Sequence, residues 1–279
     1  MLNQLFKDQL ALGAAQAFIT IILALVVMLI ASHQQIHIER EVVVALIRGI
    51  VQVVAAGLIL VVLFQGPQWT SVFVLILMIV AASSIAARRT RDIPGAFLVS
   101  LYGISFGAGL VILLMALAGV IEPSLTSLVP VGSMIISNAM NTNAQALERF
   151  RADVRNNVGQ IETGLALGAL PDTMVEPYVQ TAVHSSLIPK IDSLSSLGIV
   201  WIPGLMSGMI LAGTNPVYAA IYQFAVIAMI FASSGLTAVV TTLLVRSRVF
   251  SPAKQLTLRP GQEKQTSKKV NPAPVRKTL

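Results

Sequence analysis

The sequence contains no cysteine. Disulfides, thiolate nucleophiles, iron–sulfur clusters and Cys-type zinc sites are therefore excluded. Charge is also scarce. Only 11% of residues are Asp, Glu, Lys or Arg, against about 25% in an ordinary soluble domain. That deficit cannot cover a globular surface with polar side chains. Apolar residues are abundant instead: 55% of the chain is hydrophobic and the mean hydropathy is +0.80. This composition excludes a disordered or collagen-like chain and points to a membrane-embedded one.

Several motifs are missing as well. No G-x-x-x-x-G-K-[ST] loop occurs, so the chain has no Walker-type ATP site. H-E-x-x-H is absent, and the one G-x-S-x-G string, Gly103-Ile104-Ser105-Phe106-Gly107, lies inside an apolar span rather than at a strand-to-helix turn, so the usual protease and lipase readings have little to stand on. The balance of 19 Lys and Arg over 12 Asp and Glu gives a net charge of +7. In a membrane chain such an excess gathers in cytoplasmic loops beside anionic lipid. No nucleic-acid partner is expected.

A spanning helix needs about 20 mostly apolar residues. Seven stretches qualify: 9–32, 42–64, 69–87, 94–120, 128–146, 194–212 and 216–245. The expected fold is all-α, with about seven transmembrane helices in one membrane domain over 1–250. The first stretch is too long for a signal-peptide core, and no A-x-A-like site ends it, so it reads as a retained helix.

Arginines orient the spans. Arg88, Arg89 and Arg91 follow the third, Arg149, Arg151 and Arg155 the fifth, and Arg246, Arg248 and Lys254 the seventh. Seven spans put all three groups on one side, which the positive-inside rule makes cytoplasmic. The N-terminus then lies outside and the C-terminus inside. Residues 251–279 are rich in Lys, Pro, Gln and Thr and read as a solvated, disordered basic tail.

One connection is long. Residues 147–193 lie between the fifth and sixth spans on the expected cytoplasmic side. Glu148 with Arg151, and Arg149 with Asp153, have helical charge spacing. A short apolar helix, a stop at Gly168 and a second helix opening at Pro171 follow. A connection of this length in a compact chain is usually functional.

Polar residues within the spans are the candidates for function. His33 and His37 stand four apart, with Glu39 and Glu41 after them. They read as a juxtamembrane polar stretch or part of a metal site that needs more ligands; the metal ligands are unknown. Arg48 and Gln52 share one face of the second span. Arg48 either looks into the bundle or snorkels to the interface. In the fifth span Ser133, Ser137 and Asn141 form a polar stripe, with Met134, Asn138 and Met140 beside it. Such a stripe is a packing seam, a solute path or both.

Pro203 breaks the sixth span. Gly204, Gly208 and Ala212 follow as a small-residue stripe, and Met206 and Met209 read as packing methionines or as thioether ligands to a soft metal. Gly103 and Gly107 form a similar close-packing stripe in the fourth span.

Together these segments resemble the FetB-type permeases of ABC transporters. That family includes a bacterial permease named for iron export and plant permeases linked to aluminium tolerance. The resemblance begins with Arg48-Gly49-x-x-Gln52. It continues through Ser133-Met134-Ile135-Ile136-Ser137-Asn138-Ala139-Met140-Asn141, where serines stand at two positions of expected glycine. Ile161-Glu162 with Leu167-Gly168-Ala169-Leu170-Pro171 resembles the family's cytoplasmic loop. Leu187-Ile188-Pro189-Lys190-Ile191-Asp192-Ser193, Gly198-Ile199-Val200, Pro203-Gly204-x-Met206-x-Gly208, Asn215-Pro216 and Ala219-Ala220-x-Tyr222-Gln223 complete it in order. It covers all seven spans and is strongest between Gly132 and Gln223.

The resemblance implies an inner-membrane permease, a homodimer with two cytosolic ABC ATPase subunits. ATP and Mg would sit on the partner, and this chain would bind no cofactor itself. The 147–193 loop would be the coupling loop, docked in a groove on the ATPase. Glu162, Leu165, Gly168, Ala169, Pro171 and Asp172 are its expected contacts. Arg48, Gln52, Met134, Asn138, Met140, Asn141, Met206 and Met209 are the pathway candidates. The implied activity is export of a metal ion, iron first. Alternatives are a permease for another small solute or for import, an ion-driven carrier, and a subunit that moves nothing.

Overall fold

The computed structural model describes residues 9–33, 39–63, 66–90, 92–122, 124–251 and 255–258. Among these, every extended element is helical, apart from the isolated bridges Leu197–Trp201 and Phe250–Leu256. Helices follow from the composition: in lipid they satisfy their own backbone donors and acceptors. Five stretches are long and apolar enough to cross a membrane: Ala11–His33, Val42–Val61, Thr70–Arg89, Ala96–Leu117 and Pro216–Val249.

The chain divides into two units, Met1–Gly66 and Pro67–Leu279. The first contains α1 (Gln9–His33) and α2 (Glu39–Leu63). Leu23, Leu29, Val53 and Leu58 stand exposed on them. A helix this apolar needs lipid or protein around it.

The second unit begins with α3 (Thr70–Arg89) and α4 (Ala96–Ile104). A π-turn at Ser105–Gly109 carries α4 into α5 (Leu110–Leu117). Then come α6 (Leu125–Asn156), α7 (Val158–Ala166), α8 (Pro171–Ser195), α9 (Gly204–Leu211) and α10 (Pro216–Arg246). α6 and α10 are the axis of this unit: they pack on each other, and both pack on α8. Asn215 caps α10, accepting from the Val217 and Tyr218 N–H groups, and Pro216 opens its first turn.

Two apolar clusters hold the unit together. One joins fully buried Ile104, Ile135 and Val226 across α4, α6 and α10. The other joins Phe150, Val154, Ile161 and Val175 where α6, α7 and α8 meet. For the cluster at membrane depth the gain is close van der Waals packing rather than removal from water, because lipid tails are as apolar as these side chains. Outward residues of α3, such as Phe73 and Leu77, are exposed and suit acyl chains.

The expected stretch 128–146 lies inside α6, which runs for 32 residues. At 1.5 Å per residue that is about 48 Å, well beyond a hydrocarbon core of about 30 Å. The expected stretch 194–212 is not one helix. α8 stops at Ser195, Gly198 turns the chain at φ 78°, and Pro203 caps α9. With 8 residues, α9 is only about 12 Å long and cannot cross alone. Proline removes the N–H a continuous helix would need, and Gly198 takes the left-handed backbone closed to other residues.

The segment read as a loop, 147–193, is mostly helix: the end of α6, all of α7 and most of α8. Pro177 and Pro189 lie inside α8. The Thr181 hydroxyl donates to the Pro177 carbonyl at 2.9 Å, and the Ser193 hydroxyl to the Pro189 carbonyl at 2.7 Å. At the other end, Leu256 and Leu258, read as tail, are buried in the second cluster. The Thr257 N–H donates to the Val249 carbonyl at 2.8 Å and holds this strap in place. Residues 259–279 lie outside the described ones.

Candidate functional site: a polar seam and a helical hairpin

The seam starts on α6. Ser133 and Ser137 return their hydroxyls to the carbonyls of Pro130 and Met134. Asn138 does more. Its Nδ2 donates to the Met134 carbonyl at 2.8 Å, which leaves Oδ1 facing α8. There Lys190 Nζ donates to it at 2.6 Å. A lysine has no acceptor, so this bond fixes the amide orientation. Met134 and Met140 pack against the first apolar cluster, while Asn141 is exposed.

Asn143, one turn beyond the seam, is fully buried. Its Nδ2 donates to Ser100 Oγ on α4 at 2.9 Å, and its Oδ1 accepts from Thr241 Oγ1 on α10 at 2.6 Å. One amide thus joins three helices. Gly103 and Gly107 make the approach possible. A Cβ on Gly103 would collide with Thr241 Oγ1, and one on Gly107 with Thr237 Oγ1 and the Ser233 carbonyl oxygen.

Met206 and Met209 on α9 are half-buried. The Met206 N–H donates to Gln223 Oε1 at 3.2 Å, anchoring the start of α9 to α10. Gln223 is 1% exposed, and its Nε2 is a buried donor with no partner among the described residues. Gly204 and Gly208 have open space where a Cβ would stand, so among the described residues no helix packs closely on them.

Arg48 and Gln52 are exposed on α2, in the first unit. His33 ends α1, and His37 lies outside the described residues. Among the described residues no group of three or more His, Asp or Glu could hold a metal ion.

At the other end of the seam the bundle is charged. Asp92 takes Arg151 at 2.8 Å and Arg155 at 2.7 Å. Arg89 faces Glu148, Arg149 faces Asp153 and Arg246 faces Glu176. The exposed pairs are each worth about 1 kcal/mol or less. Their value lies in marking one polar end.

The α7–α8 hairpin projects from this end. The Gly168 N–H donates to the Leu165 carbonyl and the Ala169 N–H to the Gly164 carbonyl, both at 3.0 Å. With Gly168 at φ 89°, this is a Schellman stop. Pro171 then starts α8, with Asp172 in its first turn. Gly164 lies against Met174, where a Cβ would meet its Sδ at 2.5 Å. Glu162 is half-buried. Leu165 turns inward onto the second cluster. The tip instead presents Leu167, 84% exposed, and Leu170, 64% exposed.

Sequence reasoning therefore found the stripe and the hairpin. It missed Lys190, Asn143 and Gln223 as the groups that bond across helices, and Leu167 and Leu170 as the exposed leucines of the hairpin tip. A polar residue at mid-span was the available signal for Asn143 and Gln223.

The chain is 28% identical over 239 residues to an Escherichia coli (strain K12) protein named probable iron export permease protein FetB, covering 85% of this chain and 92% of that one. It is 32% identical over 218 residues to a UPF0014 membrane protein of Synechocystis, covering 75% of this chain and 83% of the relative. It is 26% identical over 246 residues to the Arabidopsis thaliana protein ALUMINUM SENSITIVE 3, covering 88% and 90%. No solved structure matches. The model of the uncharacterised protein family UPF0014 matches residues 14–250, in line with the resemblance carried by the sequence motifs. This chain belongs to that family and is a membrane protein.

Proposed function

We propose that this chain is the permease subunit of an ATP-driven ABC transporter. A separate cytosolic subunit would bind ATP and Mg and dock on the α7–α8 hairpin. The observation that carries this reading is the hairpin tip. Leu167 and Leu170 are large apolar side chains held out in water by a rigid glycine stop. Two exposed leucines on a preformed turn suit a helix-in-groove partner. The arginine-rich end beside them suits the cytoplasm.

In this reading the chain makes seven crossings: α1, α2, α3, α4 with α5, α6, α8 and α10. The sixth is α8 rather than 194–212, and α9 sits at the outer end. Movement of the hairpin would pass along α8, whose Pro177 and Pro189 allow bending, to Lys190 at the seam. A homodimer would bring two hairpins to two ATPases. The first cargo is a metal ion, iron before others, after the relative named for iron export.

Lys190 favours a second cargo within the same mechanism. An ammonium on the seam repels a bare cation and attracts an anionic chelate or another anionic solute. Co-expression with a candidate ATPase, co-purification, and ATPase assays in lipid test the reading. Stimulation by ferric chelate, absent without this chain, supports it. ATP-independent uptake by this chain alone would replace it with an ion-driven carrier.

A further inference from the structure

A cavity of about 390 Å³ opens between the end of α3 and the start of α4. Ser84, Ala87, Ile93, Ala96 and Phe97 form its walls, and Arg88 stands among them. Gly95 also lines it. Arg248 arrives there from the far end of the unit: a Cβ on Gly95 would lie 2.9 Å from its Nη1. The Arg248 guanidinium thus lies against Gly95, a wall residue, while Arg88 lines the cavity itself.

Neither has an ion pair among the described residues. No carboxylate lines the cavity, and Asp92, Glu148, Glu176 and Asp153 pair with other arginines. The positive charge at the cavity is therefore uncompensated. α4 begins at its rim, and its N-cap, Gly95, offers no side-chain acceptor to the first N–H groups. The Ala96 N–H is taken by the Ile93 carbonyl at 3.2 Å, and the remaining first-turn donors add to the positive field. The walls beside the arginines are apolar, and Phe97 is 40% exposed. A charged mouth with an apolar wall at the end of a spanning helix matches a phosphate attached to an acyl chain.

We propose that this cavity binds a phosphate group, held by Arg88 and Arg248, with an anionic phospholipid as its carrier. The site lies outside the seam and the hairpin and does not depend on the transport reading.

The full chain, reconstituted in nanodiscs of phosphatidylcholine with a minor share of phosphatidylglycerol, provides the test. Retained lipid is counted by native mass spectrometry. A second arm titrates inorganic phosphate onto the detergent-purified chain. Phosphatidylglycerol is expected to be retained over phosphatidylcholine. Arg88→Gln with Arg248→Gln lowers that retention by about fivefold per arginine. Ser84→Phe, which fills the cavity without changing charge, lowers it too. Arg149→Gln removes the same charge outside the cavity and leaves retention intact. Binding of inorganic phosphate alone, lost in the double variant, keeps the site and makes its carrier soluble. Equal retention in all variants, or an equal loss in Arg149→Gln, overturns the proposal.

Discussion

Lys190 on α8 and Asn138 on α6 are joined by a hydrogen bond of 2.6 Å from Nζ to Oδ1. The bond places a positive charge on the polar stripe of α6, facing the helix that continues from the hairpin. Lys190→Glu would reverse that charge, and Asn138 could turn its amide to donate instead. The expected result is a shift in cargo preference from anionic metal chelates towards aqua cations. Transport into inside-out vesicles, with both forms of one metal, measures the ratio. An unchanged ratio removes Lys190 from cargo selection.

Asn143 holds Ser100 and Thr241 together at full burial. Replacing it with leucine leaves both hydroxyls without this partner. Interhelical bonds of this kind are worth about 0.6–2 kcal/mol each. Asn143→Leu should therefore lower the Tm of the detergent-purified chain clearly, and Thr241→Val by less. A Tm unchanged in Asn143→Leu would mean that apolar packing alone sets the α4–α6–α10 contact.

Gly107 and Gly208 make a matched pair. Alanine at Gly107 would press on Thr237 and on the Ser233 backbone carbonyl, which has no rotamer to escape into. Overpacking of that kind costs about 1–3 kcal/mol. Alanine at Gly208 meets open space and should stay within about 0.5 kcal/mol of the parent. Thermal melts of the two single variants compare them directly. Equal melts would mean that α4 shifts away from α10 at no cost.

The helical class and most of the spans were legible because apolar runs of spanning length have few other uses. α8 was not legible as a bundle helix. Its Asp172, Glu176, Lys190 and Asp192 and its three prolines read as a helix of a cytoplasmic connection rather than of the bundle. The charges sit near its ends, and Lys190 is accommodated by a partner on α6 that no local pattern reveals. The broken segment at Pro203 was legible as a break, but its length was not. In the hairpin the Gly168 stop was readable from Gly-Ala-x-Pro. Which leucines faced out was not, because that depends on Leu165 finding the second cluster across the fold.

The central claim is that the hairpin is a docking element for an ATPase. Leu167→Glu with Leu170→Glu alters only exposed side chains, so the chain should fold and reach the membrane as before. The decisive measurement is co-purification of this double variant with the ATPase subunit, beside the parent chain. The account predicts that the parent retains the ATPase and the variant loses it, together with ATP-driven transport, at unchanged expression and Tm. Retention of the ATPase by the variant at the parent's level would contradict it.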